Sequence, residues 1–226
     1  YFYRVVNLNL TLIICFLLFF VYLGLGVYTI TRNPESALNR IFLAITLSSA
    51  IWIGAYGCIL IINSSEHWIW FWFKVSSLGW ITLAVFVVHF ALVLTSRDKF
   101  IEQEKLALLY LPAVVEIILI LTVIHPDSLI DTGKFIATGI TNTRQHWFWP
   151  MHIVYFCSYS IAMFFMVAQW GRNSAFLREK KQARIIVGSE LLVLFILIIE
   201  YKILPIFGFS LPWMVMLVGL IWAGAI

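Results

Sequence analysis

The sequence predicts an all-α membrane protein, a seven-transmembrane helix bundle with its N-terminus outside and its C-terminus inside. Three observations carry that prediction. Of 226 residues, 62% are hydrophobic and only 12% charged, where soluble domains carry about 25% charged residues; the mean hydropathy is +0.97. A helical span needs roughly 20 apolar residues to cross about 30 Å of hydrocarbon, and several such runs follow one another here with little between them. The basic residues, finally, gather in alternate connections.

Breaks at charge, Pro and Gly divide the chain into spans at about 8–31, 38–62, 67–95, 106–125, 149–170, 184–204 and 211–226. The first span ends at "TRNPESALNR", which carries two basic residues, and the third at "SRDKFIEQEK", which carries three. Between the fifth and sixth lies "GRNSAFLREKKQAR", with Arg172, Arg178, Lys180, Lys181 and Arg184. Ten of the fifteen basic residues therefore fall in three alternate loops. Short cytoplasmic loops hold the excess of Lys and Arg, so these three face inward. The net charge of +4 is explained by orientation and calls for no nucleic acid. The opposite connections are "NSSEH", "PIFGFS" and a longer polar stretch over 125–147, whose Thr, Ile and Phe among Gly turns predict a small hairpin. The chain opens at Tyr1 without a methionine and stops within an apolar run, which predicts a piece of a longer protein. Cys15, Cys58 and Cys157 all fall in apolar runs and read as small hydrophobes. No disulfide or zinc spacing is present, and no metal or cofactor is expected.

Ionisable groups inside spans are expensive and face the bundle interior, where they pair or mark ligand sites. "HWIWFWFKVSSLGW" (67–80) surrounds Lys74 with four tryptophans and two phenylalanines. Lys74 lies about 10 Å below the outer boundary and Glu116 about 13 Å, at 1.5 Å per residue. A Lys74–Glu116 pair is one expectation, with Glu200 a second partner and outward snorkelling among the tryptophans the competing reading. Glu190 falls toward the cytoplasmic side. Lys74, Ser77, Ile81, Val85 and His89 share an arc of roughly 120° on a helical wheel, which predicts an inward stripe. His89, near the cytoplasmic end, reads as a helix-to-helix hydrogen bond. His67, His125, His146 and His152 cluster toward the outer surface without metal-ligand spacing.

Trp68, Trp70, Trp72, Trp147 and Trp149 fall at the outer boundary, where aromatic belts are expected of any membrane protein. Trp52, Tyr56, Trp80, Tyr155 and Trp213 fall deeper. Pockets are apolar with a few placed polar groups, so the candidate ligand site comprises these five with Lys74, Glu116 and Glu200. The motifs "HExxH", "GxSxG" and "GxxxxGK" are absent, as is a paired-carboxylate motif. A retinal protein would need a lysine in the seventh span, and 211–226 holds none. A membrane-embedded transporter or enzyme subunit is the rival class, although a transporter would show broken helices and an internal repeat.

The segment "REKKQARIIVGSELLVLFILIIEYKILPIFGFSLPWMVMLVGLIWAGAI" resembles the seven-transmembrane N-terminal sensor region of bacterial histidine kinases, found also on some cyclic-dinucleotide enzymes. The likeness rests on the basic "KKQAR" entering the sixth span, Gly188 after it, and "ILPIFGFSLP" closing it. "NPESALNRIFLAITLSSAIWIGAYG", with Trp52 at its centre, is similar to the family's second span. The resemblance implies a noncatalytic sensory region in a bacterial plasma membrane, working in a two-component system. It would detect a signal in or near the membrane and pass it along the seventh helix to a cytoplasmic kinase module of the same chain. The full-length protein would then be a homodimer. The signal is expected to be a small amphipathic or apolar, lipid-like molecule. Membrane state and a partner docked on 125–147 are the alternative stimuli.

Overall fold

The computed structural model describes residues 2–61, 66–97, 103–124 and 147–199, which form six helices. They are α1 (Phe2–Arg32), α2 (Ala37–Ile61), α3 (Glu66–Leu94), α4 (Gln103–Ile118), α5 (Phe148–Asn173) and α6 (Leu177–Ile198). α4 runs on into one π-helical stretch, Leu119–Val123. Five helices contain a segment long and apolar enough to cross a membrane: Leu10–Arg32, Ala37–Ile61, His67–Leu94, Lys105–Val123 and Phe148–Asn173. These coincide with the first five expected spans. The hairpin expected over 125–147 and the seventh span fall outside the described residues, apart from Trp147 at the start of α5.

The sixth helix differs from its expected bounds. It begins at Leu177, seven residues before the expected start at 184. The reason is that "LREKKQAR" consists of strong helix formers. A basic run marks where lipid stops, whereas the helix continues into the aqueous phase because its backbone bonds are internal.

The helix ends show how a lipid-embedded chain satisfies its last carbonyls, which lack intrahelical partners. At the end of α1, the Asn39 amide of α2 donates to the carbonyls of Thr29 (3.1 Å) and Asn33 (3.0 Å). Arg40 adds a bond to the Pro34 carbonyl at 2.7 Å. α3 closes in a Schellman turn: Arg97 N–H reaches Leu92 O at 2.9 Å, Ser96 N–H reaches Val93 O at 3.0 Å, and Ser96 takes φ 55°.

The helices pack in chain order, α1 on α2 and α2 on α3; α3 also meets α4 and α5, and α5 meets α6. Between two helices in lipid the hydrophobic effect contributes little, so close approach of small residues and interhelical hydrogen bonds take its place. The α2–α3 contact uses both. A Cβ at Gly79 would collide with the Ser48 carbonyl and lie 2.5 Å from the Trp52 nitrogen. Around it the Ser48 and Thr82 hydroxyls bond at 2.9 Å, and Ser76 donates to the Trp52 carbonyl at 3.2 Å. Gly171 of α5 likewise lies against Ala183 of α6.

One end of the bundle is basic. Arg32 closes α1, Arg40 opens α2, Arg97 follows α3, Lys105 opens α4, Arg172 closes α5, and Arg178, Lys180 and Lys181 open α6. Arg97 bonds the Gln169 amide oxygen at 2.7 Å, which fixes the ends of α3 and α5 beside each other there. The opposite end carries Trp68, Trp70 and Trp72 of α3 with Trp147 and Trp149 of α5.

Candidate functional site

The junction of α3, α4 and α5 near the tryptophan-rich end holds a buried polar core. On α5, Phe148, His152, Tyr155 and Tyr159 recur at helical spacing, and the same face continues into buried Met163 and Val167. On α3 the inward stripe is realised: Ser77, Ile81 and Val85 are all fully buried. At its basic end His89 bonds the Tyr110 hydroxyl of α4, the helix-to-helix bond expected of it.

Two hydroxyls staple α5 to its neighbours. Tyr155 donates to the Ile81 carbonyl of α3 at 2.9 Å, and Tyr159 to the Leu109 carbonyl of α4 at 2.6 Å. Their rings meet at 4.7 Å between centroids. Above them, Glu116 of α4 is 2% exposed. Its Oε2 lies 2.8 Å from His152 Nδ1. An isolated carboxylate would not survive such burial, so the imidazole is the compensation.

Aromatic rings enclose that imidazole. Trp80 meets it edge-on at 4.4 Å, Phe148 lies parallel to it at 6.0 Å, and Trp149 stands 6.4 Å away. Trp80 and Trp149 stack on each other at 6.2 Å. Two buried polar atoms of this group have no hydrogen-bond partner among the described residues: Glu116 Oε1 and Trp149 Nε1.

The expected Lys74–Glu116 pair is not formed. Lys74 is only partly buried, and its ammonium donates to the Leu121 carbonyl at 3.1 Å. Leu121 belongs to the π-helical stretch that ends α4, where Ile124 N–H returns to Leu119 O. Lys74 thus places a cation on a helix C-terminus, where orphan carbonyls and the helix dipole both favour it. Each partner found a different mate because both His152 and a free carbonyl lie at the right depth.

Of the other expected site residues, Trp80 and Tyr155 join Glu116 at the junction. Tyr56 of α2 packs against this core as well as against the separate α1–α2 cluster. Trp52 packs against the α1–α2 cluster and, through its backbone and Cβ, against Gly79 of α3, whereas Trp80 packs against the α3–α5 core. Glu200 and Trp213 lie outside the described residues. Glu190 is buried on α6. His152 and Trp149, by sequence an outer-surface histidine and a belt tryptophan, belong instead to this core. The signal was there: His152 sits three residues before Tyr155 and seven before Tyr159, on their face. Among the described residues no group of three His, Cys, Asp or Glu side chains is placed to hold a metal ion.

Five helices of membrane-spanning length among the described residues, packed around a polar, aromatic-walled core, define a multi-pass membrane protein. Residues 11–226 match the family described as the N-terminal 7TM region of histidine kinase, and the chain belongs to that family. Comparison with curated proteins and with solved structures finds no match.

Proposed function

We propose that this region is the membrane sensory domain of a histidine kinase, lying with its basic end in the cytoplasm and its tryptophan-rich end outside. The orientation follows from the distribution of Lys and Arg. A small amphipathic or apolar signal enters from outside or from the outer leaflet and binds at the α3–α4–α5 junction. The observation that carries this reading is the Glu116–His152 hydrogen bond, a costly polar contact buried between two helices and walled by rings. Trp80 and Tyr155 form the wall, Tyr56 the side toward α2, and Lys74 the rim.

A ligand shifts a two-state bundle only by the difference in its affinity for the two arrangements. A molecule that engages Glu116 or His152 changes how α4 sits against α5. α5 is continuous with the tight Gly171–Ala183 contact to α6, so its displacement reaches the sixth helix and then the seventh. The output is a cytoplasmic kinase module of the same chain, within a homodimer.

The test is phosphorylation of the full-length protein in lipid vesicles, wild type against His152→Gln and Tyr155→Phe. Removing one buried bond of about 1 kcal/mol from one of two balanced states moves their ratio several-fold. A several-fold change in phosphorylation, with helix content unchanged, is expected. Rates equal to wild type in both variants would refute the coupling of this core to output.

A further inference from the structure

The unused bonding capacity at the junction specifies a chemistry. Glu116 is 2% exposed and one of its oxygens is occupied by His152, while Oε1 is buried without a partner among the described residues. Trp149 presents the complementary case: its indole N–H is buried and donates to nothing among the described residues. Buried polar groups are rarely left so, because each unmade bond costs the full desolvation of the group. The two side chains belong to one locus, since both touch the His152 imidazole, one through a 2.8 Å bond and the other ring to ring.

We propose that Glu116 Oε1 and Trp149 Nε1 are the polar end of a binding site for an apolar molecule that terminates in a hydroxyl group. This deepens the sensory reading above and rests on it. The indole can only donate, so it needs an acceptor. A carboxyl oxygen needs a donor when bare and an acceptor when it carries a proton. A hydroxyl is donor and acceptor at once and satisfies both atoms in either arrangement. A ligand carboxylate or phosphate offers no donor to a bare carboxyl oxygen and would set like charge against it, so it fits one arrangement at most. An ammonium offers no acceptor to Trp149. An ether offers no donor to Glu116. The walls, Trp80, Phe148 and Tyr155, are apolar surfaces suited to an alkyl or aryl body.

The probe is 10,10,10-trifluorodecan-1-ol, followed by fluorine NMR with the full-length protein in phosphatidylglycerol–phosphatidylethanolamine nanodiscs. Its methyl ether and the corresponding decanoate serve as matched competitors. One hydrogen bond is worth about tenfold in affinity, so the alcohol is expected to bind the wild type at least about tenfold more tightly than either analogue. Trp149→Phe keeps a ring and deletes an unpaired donor, which cannot destabilise the unliganded fold through a lost bond. That variant is expected to lose about tenfold in alcohol affinity and nothing in ether affinity, with thermal stability equal to or above wild type. Equal affinities for alcohol and ether in the wild type, or an alcohol affinity unchanged by Trp149→Phe, would overturn the assignment. The two readings fail separately. Equal binding of alcohol and ether accompanied by a change in phosphorylation sinks the hydroxyl assignment alone. Selective, Trp149-dependent binding of the alcohol without such a change supports the assignment and sinks the relay.

Discussion

At the scale of single residues, Lys74 and Glu116 show two ways of holding an ionisable side chain within a helix bundle. Lys74 reaches a carbonyl at a helix end, where a cation is worth about 1 kcal/mol; Glu116 is almost fully enclosed and depends on His152. The two should therefore respond differently to deletion of a partner. Lys74→Met keeps the stem while removing the charge, and is expected to cost about 1 kcal/mol through the lost cap on α4. His152→Leu leaves a buried carboxyl with neither oxygen bonded and is expected to cost more, about 1–3 kcal/mol. Unfolding in detergent micelles ranks them; a Lys74→Met variant less stable than His152→Leu would contradict this division. The inward stripe through Ser77, Ile81 and Val85 was legible from residue counting, as was the place of Glu116 inside a span. The partners of Lys74 and Glu116 were not. Depth cannot distinguish a carboxylate from a carbonyl freed by a π-helical turn, and nothing in "LILTV" announces that turn.

At the scale of elements, the same residue type performs opposite tasks. Gly79 exists to bring α2 and α3 together, because any Cβ there meets the backbone of Ser48 and Trp52, which cannot rotate away. Gly24 of α1 has nothing within 4 Å of its would-be Cβ. Gly79→Ala is accordingly expected to destabilise by about 1–3 kcal/mol through overpacking, and Gly24→Ala to stabilise by about 0.5–1 kcal/mol through helix propensity. Equal effects of the two, measured by unfolding in micelles, would show that the α2–α3 approach is not tight. The first five spans were legible because lipid imposes one length and one composition on each. The start of α6 was not, because hydropathy reports the edge of the lipid and "LREKKQAR" is helical beyond it. Nor could a wheel separate Trp52 from Trp80. Both are deep aromatics on adjacent helices, and only the packing of α1 on α2 brings Trp52 to the α1–α2 cluster while Trp80 joins the core around Glu116.

At the scale of the whole molecule, the chain divides its labour between two ends. The basic end ties helix termini through Arg97–Gln169 and Asn39, and the tryptophan-rich end encloses Glu116 and His152. Membership of the N-terminal 7TM region family of histidine kinases suggests a membrane sensory domain, and in the function proposed above the enclosed core is where a membrane-borne signal meets a surface unlike lipid. The central claim is that such a signal binds between α3, α4 and α5 rather than along the lipid-facing helix surfaces. Photolabelling tests it most directly: a decanol bearing an aliphatic diazirine is added to the full-length protein in vesicles, and adducts are mapped by mass spectrometry. Adducts concentrated around Trp80, Trp149, His152 and Tyr155, and suppressed by excess unlabelled decanol, are expected. Adducts spread over exposed α1 residues such as Ile13, Leu17 and Phe20, in proportion to their exposure and indifferent to competitor, would contradict the claim.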